Sequence, residues 1–226
     1  MSKRKISNPL ALAVLAHLEE RPMHPYEMAT TMRERGKEHS IKLNFGSLYT
    51  VVESLQRAGF ITAQETVREG RRPERTVYEI TEAGRAELYD WLCELLGEPA
   101  KEYPRFMAGL SLLGVLPPAK GIAVLKQRER RLAELLTEGR QMLSGWIDGT
   151  RGTAPLPRVF LIETEYELAM REAELNWLRG LLREIEGGTL SGVELWEQFH
   201  QLKAAGTSEP PATAPGEEGA ARTPPP

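Results

Sequence analysis

The stretch that most restricts the fold is residues 44–60, Asn-Phe-Gly-Ser-Leu-Tyr-Thr-Val-Val-Glu-Ser-Leu-Gln-Arg-Ala-Gly-Phe. Phe45, Leu48, Val51, Val52 and Leu55 recur at spacings of three and four, which predicts one helix with one buried stripe. Asn44 can accept from the first free amides, and Gly59 can take the left-handed conformation that ends a helix. The other side carries Ser47, Tyr49, Thr50, Glu53, Ser54 and Arg57, with no bulky aliphatic among them. Short hydroxyls, a phenol and a guanidinium suit phosphate oxygens and base edges. An ordinary solvated helix face has the same composition, so the neighbouring elements must decide.

After Gly59 the period changes from 3.6 to 2. Residues 60–66 and 75–80 read as two strands, and Gly70 and Pro73 in the connection predict a hairpin with a long tip. That tip holds Arg68, Arg71, Arg72 and Arg75, which can follow phosphates or enter a minor groove. Loop tips are also charged simply for solubility.

Two helices precede the central one. The first is capped by Ser7-Asn8, opens at Pro9 and runs to about Glu20; it is apolar enough to be largely buried. The second restarts at Pro25 and stops at Gly36. His24 beside Tyr26 and Glu27 is read as a cap rather than an acid–base group. Three helices followed by a hairpin is the order of a winged helix-turn-helix, with the central helix as recognition helix.

Beyond the hairpin, Thr81 caps a helix to about Leu96. Its apolar residues, Leu88, Tyr89, Trp91, Leu92, Leu95 and Leu96, spread wider than one stripe needs. A short apolar helix is predicted from Phe106 to Leu113, and Pro117-Pro118 opens a long one through Trp146. Its seam of Ile122, Leu125, Leu132, Leu136, Leu143 and Trp146 is interrupted by Glu129 and Gly139. A Gly- and Pro-rich turn over 148–157 leads to a second long helix with Leu161, Leu168, Leu175, Leu178, Leu182 and Ile185, an antiparallel hairpin. A last helix covers 193–202. From residue 204 the chain holds six of its 16 prolines and no large apolar side chain, so disorder is expected there. The expected fold class is mainly α with a small β-hairpin. The expected division is a winged helix-turn-helix with its linking helix over 1–97, a helical dimerisation domain over 98–203 and a tail over 204–226.

Several classes fit poorly. With 29 basic and 32 acidic residues the chain is near charge balance, so a nucleic-acid patch must be local. One cysteine, Cys93, precludes an intrachain disulfide framework and fits a reducing compartment. Lys3-Arg4-Lys5 before an apolar run imitates a signal peptide, but His17, Glu19, Glu20 and the lack of a cleavage site argue against one. No apolar run approaches the ~20 residues that span a bilayer, so a cytoplasmic protein without membrane contact is expected. His17, His24, His39, His200 and Cys93 have no metal-ligand spacing, and no glycine-rich phosphate loop is present. Neither enzyme activity nor a cofactor is expected.

The segments Pro22-Met23-His24-Pro25-Tyr26-Glu27-Met28, Gly46-Ser47-Leu48-Tyr49, residues 55–61, Gly70-Arg71-Arg72 and residues 78–84 together resemble the PadR family of bacterial transcriptional regulators. The likeness covers about residues 8–90. One departure is Pro25, where the family usually has glycine; proline is tolerated in a first turn. The resemblance implies a homodimeric repressor of promoter DNA. Lys42, Asn44, Ser47, Tyr49, Thr50, Ser54, Arg57, Arg71, Arg72 and Arg75 are the expected double-stranded DNA contacts. It also implies a small aromatic or drug-like effector, for which Tyr89, Trp91, Tyr103, Phe106 and Trp146 are the candidate aromatic contacts. The rival reading is a winged-helix module that binds an acidic protein surface instead of DNA.

Overall fold

The structure is a computed structural model that describes residues 6–37, 41, 45–64, 76–150 and 154–205, apart from the side chain of Phe45. The chain divides into two compact units, Met1–Glu102 and Tyr103–Pro226.

The first unit contains α1 (Pro9–Glu20), α2 (Pro25–Glu34), α3 (Phe45–Arg57), β1 (Ile61–Ala63), β2 (Tyr78–Ile80) and α4 (Glu82–Gly97). Local chemistry sets each start. Asn8 accepts from the Leu10 amide at 3.0 Å and His24 Nδ1 from the Tyr26 amide at 3.1 Å, each just ahead of a proline in the first turn. The caps at Asn8 and His24 are those the sequence predicts. α3 ends in a Schellman turn: Gly59, at φ +78°, donates to Gln56 and Phe60 donates back to Leu55. Leu10, Val14, Leu15, Met28, Met32, Leu48, Val52, Leu55, Ile61 and Ile80 close one core.

β1 and β2 pair antiparallel with Ile61 opposite Ile80 and Ala63 opposite Tyr78. Phe60, predicted as strand, belongs instead to the Schellman turn; past the Ala63–Tyr78 pair the Gln64 amide donates to the Val77 carbonyl at 2.8 Å, and residues 65, 66 and 75 of the predicted strands lie outside the described residues. Met23 exchanges two backbone hydrogen bonds with Tyr78, both at 3.0 Å, so the link between α1 and α2 serves as a third extended segment. The predicted wing tip over 67–74 lies outside the described residues.

Thr81 is the junction. Its amide donates to the Phe60 carbonyl at 3.0 Å, and its hydroxyl donates to the Gly59 carbonyl at 2.7 Å while accepting from the Gly84 amide at 3.1 Å. The end of α3, the start of β1 and the first turn of α4 are therefore fastened at one residue. On α4 only Gly84, Leu88 and Trp91 are buried. Tyr89, Leu92, Leu95 and Leu96 stay exposed, matching an apolar spread wider than its own core uses.

The second unit contains α5 (Arg105–Ser111), α6 (Pro118–Ile147), α7 (Ile162–Glu186) and α8 (Val193–Ala204), with single 3-10 turns at Leu113–Val115 and Arg158–Phe160. α6 and α7 form the expected hairpin around Leu125, Leu132, Leu136, Leu168, Leu175, Leu178, Leu182 and Ile185. Gly139 is not a gap in the seam. A Cβ there would lie 2.5 Å from Leu168 Cδ2, so the missing side chain is what seats Leu168 against α6. Glu129, the other interruption, accepts from Arg179 Nε at 2.7 Å across the hairpin. α8 is held by Trp196, whose indole donates to the Leu116 carbonyl at 2.8 Å and whose ring covers Gly121. Residues 206–226, most of the predicted tail, are outside the described residues.

Candidate nucleic-acid interface

α3 buries Leu48, Val51, Val52 and Leu55, and so turns Gly46, Ser47, Tyr49, Thr50, Glu53 and Arg57 outward. Ser54 is half-buried at the edge of that face. Of the ten predicted DNA contacts, the structure thus brings Ser47, Tyr49, Thr50, Ser54 and Arg57 onto one surface. Lys42, Asn44, Arg71, Arg72 and Arg75 lie outside the described residues.

The polar groups of this face are parked on their own helix. Thr50 Oγ1 donates to the Gly46 carbonyl at 3.3 Å and Ser54 Oγ to the Thr50 carbonyl at 2.8 Å. A hydroxyl used this way keeps its lone pairs pointing outward, so it meets a nucleic acid first as an acceptor. Arg57 donates from Nε to the Glu53 carbonyl at 3.3 Å and from its terminal nitrogen to Ser54 Oγ at 3.4 Å. These bonds are long and exposed, so the guanidinium can exchange them for a phosphate at little cost. Glu53 puts one carboxylate on the same face, a group that accepts from a cytosine amine and repels phosphate.

Tyr26 is a further exposed aromatic of the first unit. It is 57 % exposed on α2, the helix that runs across the backbone in a helix-turn-helix.

The effector candidates fall in both units, Tyr89 and Trp91 in the first and Tyr103, Phe106 and Trp146 in the second. Trp91 is a core residue of the first unit. Tyr89 is exposed and donates to Glu19 Oε1 at 2.9 Å, and that carboxylate holds its hydroxyl above the usual tyrosine range. In the second unit Tyr103 is 81 % exposed and Trp146 half-buried. Phe106 has an aromatic and cationic setting, with the Arg128 guanidinium 3.8 Å above its ring and Trp177 edge-on at 6.2 Å. Neither Arg128 nor Trp177 could be placed there by spacing, because they arrive from α6 and α7.

Three helices, a two-stranded wing and a polar third helix define a winged helix-turn-helix protein with a separate helical unit. Residues 14–90 match the model of the Transcriptional regulator PadR-like family. It is 25% identical over 181 residues to the negative transcriptional regulator PadR of Bacillus subtilis, covering 78% of this chain and 97% of that protein. Among solved structures, Bacillus subtilis PadR in complex with operator DNA aligns with a TM-score of 0.59 at 19% identity, over 80% of this chain and 99% of that one. The same protein with p-coumaric acid aligns at 0.56 and 18% identity, again over 80% and 99%. The Vibrio cholerae virulence activator AphA aligns at 0.57 and 17% identity, over 79% and 98%. Among the described residues no helix is long and apolar enough to cross a membrane.

Proposed function

We propose that this chain is a DNA-binding transcriptional regulator of the cytoplasm, a homodimeric repressor released by a small aromatic or drug-like effector. The observation that carries the reading is the outward face of α3, fixed through the Gly59–Thr81 junction beside a wing whose sequence holds four arginines. Repression is preferred over activation because the curated relative is a negative regulator, and an operator complex exists for that relative. Its p-coumaric acid complex supports the effector class.

Dimerisation is supported by α7. Ile162, Tyr166 and Met170 are each more than half exposed on the side opposite its leucine core, an apolar stripe that continues to Trp177, half exposed beside Phe106. Operator recognition by a two-fold pair of α3 helices follows. The test is a gel shift with the promoter upstream of the chain's own gene, beside light scattering of the free protein. A dimer that retards this fragment and releases it with a planar aromatic is expected. A protein that ignores promoter DNA at low ionic strength would favour the protein-interaction module, for which the near-neutral overall charge speaks.

A further inference from the structure

Four ion pairs cross the α6–α7 hairpin: Lys126–Glu186, Arg128–Glu174, Glu129–Arg179 and Arg140–Glu172, at 2.5 to 2.7 Å. Each sets a cation of one helix against a carboxylate of the other. On one side of the hairpin two of these pairs, Lys126–Glu186 and Glu129–Arg179, are joined by two further cations. A groove of about 360 Å³ is lined by Lys126, Glu129 and Arg130 from α6 and by Arg179, Arg183 and Glu186 from α7. Both carboxylates there are engaged, Glu129 by Arg179 and Glu186 by Lys126. Arg130 and Arg183 face the same groove from opposite helices, and neither has a carboxylate within salt-bridge distance among the described residues.

We infer that this groove is a binding site for a small phosphorylated molecule. Two guanidiniums offer planar pairs of N–H donors, which match phosphate oxygens two at a time; with Lys126 and Arg179 offset by Glu186 and Glu129, the excess positive charge of the groove is theirs. The groove is open to solvent and its lining is charged apart from Leu182, so it offers a ligand charge rather than enclosure. Glu129 and Glu186 at its edges repel a continuous phosphate backbone yet accept from hydroxyls, which selects a compact phosphate ester over nucleic acid. The site lies wholly within the second unit and does not rest on the DNA-binding reading.

The test is calorimetric titration of the full chain with inorganic pyrophosphate, beside an Arg130→Gln/Arg183→Gln variant and an Arg131→Gln control. Arg131 pairs with Glu134 and does not line the groove. Saturable binding at one site per chain is expected, weakened at least about tenfold in the double variant and unchanged in the control. No saturable binding, or equal loss in both variants, overturns the inference. So does a double variant that binds pyrophosphate normally but dissociates into monomers, which would give the groove to a second copy. Weaker retention of promoter DNA by the double variant without pyrophosphate would overturn it as well, by making the groove a DNA contact.

Discussion

Gly84 and Phe60 touch through their backbones. A Cβ placed on Gly84 would lie 2.1 Å from the Phe60 carbonyl oxygen and 2.8 Å from Ile80 Cγ1. That carbonyl already accepts from the Thr81 amide, so it cannot retreat without opening the junction between α3, the wing and α4. Gly84→Ala is therefore expected to cost the first unit about 3 kcal/mol or more, as backbone overpacking does. Urea unfolding followed by circular dichroism measures it, with Gly97→Ala, which meets nothing within 4 Å, as the neutral comparison.

Gly139 poses the same question and gets the opposite answer. The atom nearest its missing Cβ is Leu168 Cδ2, the end of a side chain that can rotate. The strain of moving it roughly offsets the gain of about 1 kcal/mol from replacing glycine by alanine inside a helix. Gly139→Ala should unfold within about 1 kcal/mol of the parent, whereas Leu168→Ala should lose about 2–3 kcal/mol. A Gly139→Ala variant as damaged as Leu168→Ala would mean that α6 and α7 cannot relax at their crossing.

Thr81 serves two partners through one hydroxyl. Thr81→Ala removes both the cap of α4 and the bond to Gly59, and is expected to cost about 1–2 kcal/mol. Thr81→Ser keeps the oxygen and should retain most of that stability. Parallel thermal melts of the three proteins decide it.

His17 makes the first unit sensitive to acid. Its Nδ1–H donates to the Ala13 carbonyl at 2.8 Å, and its Nε2 is buried without a partner among the described residues. Burial holds the imidazole below its ordinary value of 6.5; the Arg35 and Lys37 cations act in the same direction, against the Ala13 carbonyl and Glu20. The unfolded chain then takes up a proton that the folded chain refuses. Stability from this group is complete above about pH 6.5 and declines as the pH falls below it. In His17→Leu the acid limb of the stability curve should be shallower; parallel curves for parent and variant would assign the acid sensitivity elsewhere.

On α3 the two kinds of contact separate by salt. Arg57→Ala should weaken binding to every fragment alike and lower the salt slope by about one. Thr50→Ala should leave that slope alone and change which operator variants are preferred, by about 1–3 kcal/mol at one base pair. Fluorescence anisotropy over a salt series, with operator and scrambled fragments, separates the two.

At the helix ends, where one residue type answers a local backbone need, the sequence is readable. Asn8, His24 and Thr81 cap helices because a short polar group stands ahead of each first turn, and Gly59 ends α3 because the chain must reverse there. Relations across the fold were not readable. Gly139 reads as a break in a seam until Leu168 is known to sit over it, and Phe106 reads as one more core aromatic until Arg128 and Trp177 reach it from other helices. Tyr89 and Trp91 are two residues apart on α4, yet one is exposed and bonded to Glu19 while the other is core, because helical phase turns them apart. The binding half of the candidate surface was legible as a composition; the hydroxyls' attachment to their own helix required coordinates.

The outward face of α3 carries one carboxylate and one guanidinium, Glu53 and Arg57. Such a surface adds little generic attraction to polyanions by itself, so sequence-independent affinity would fall mainly to the four arginines of the 68–75 segment. Under the proposed function the two duties would then sit on different elements: changes in that segment would set how much of the protein rests on random sequence, and changes on α3 which sites it prefers.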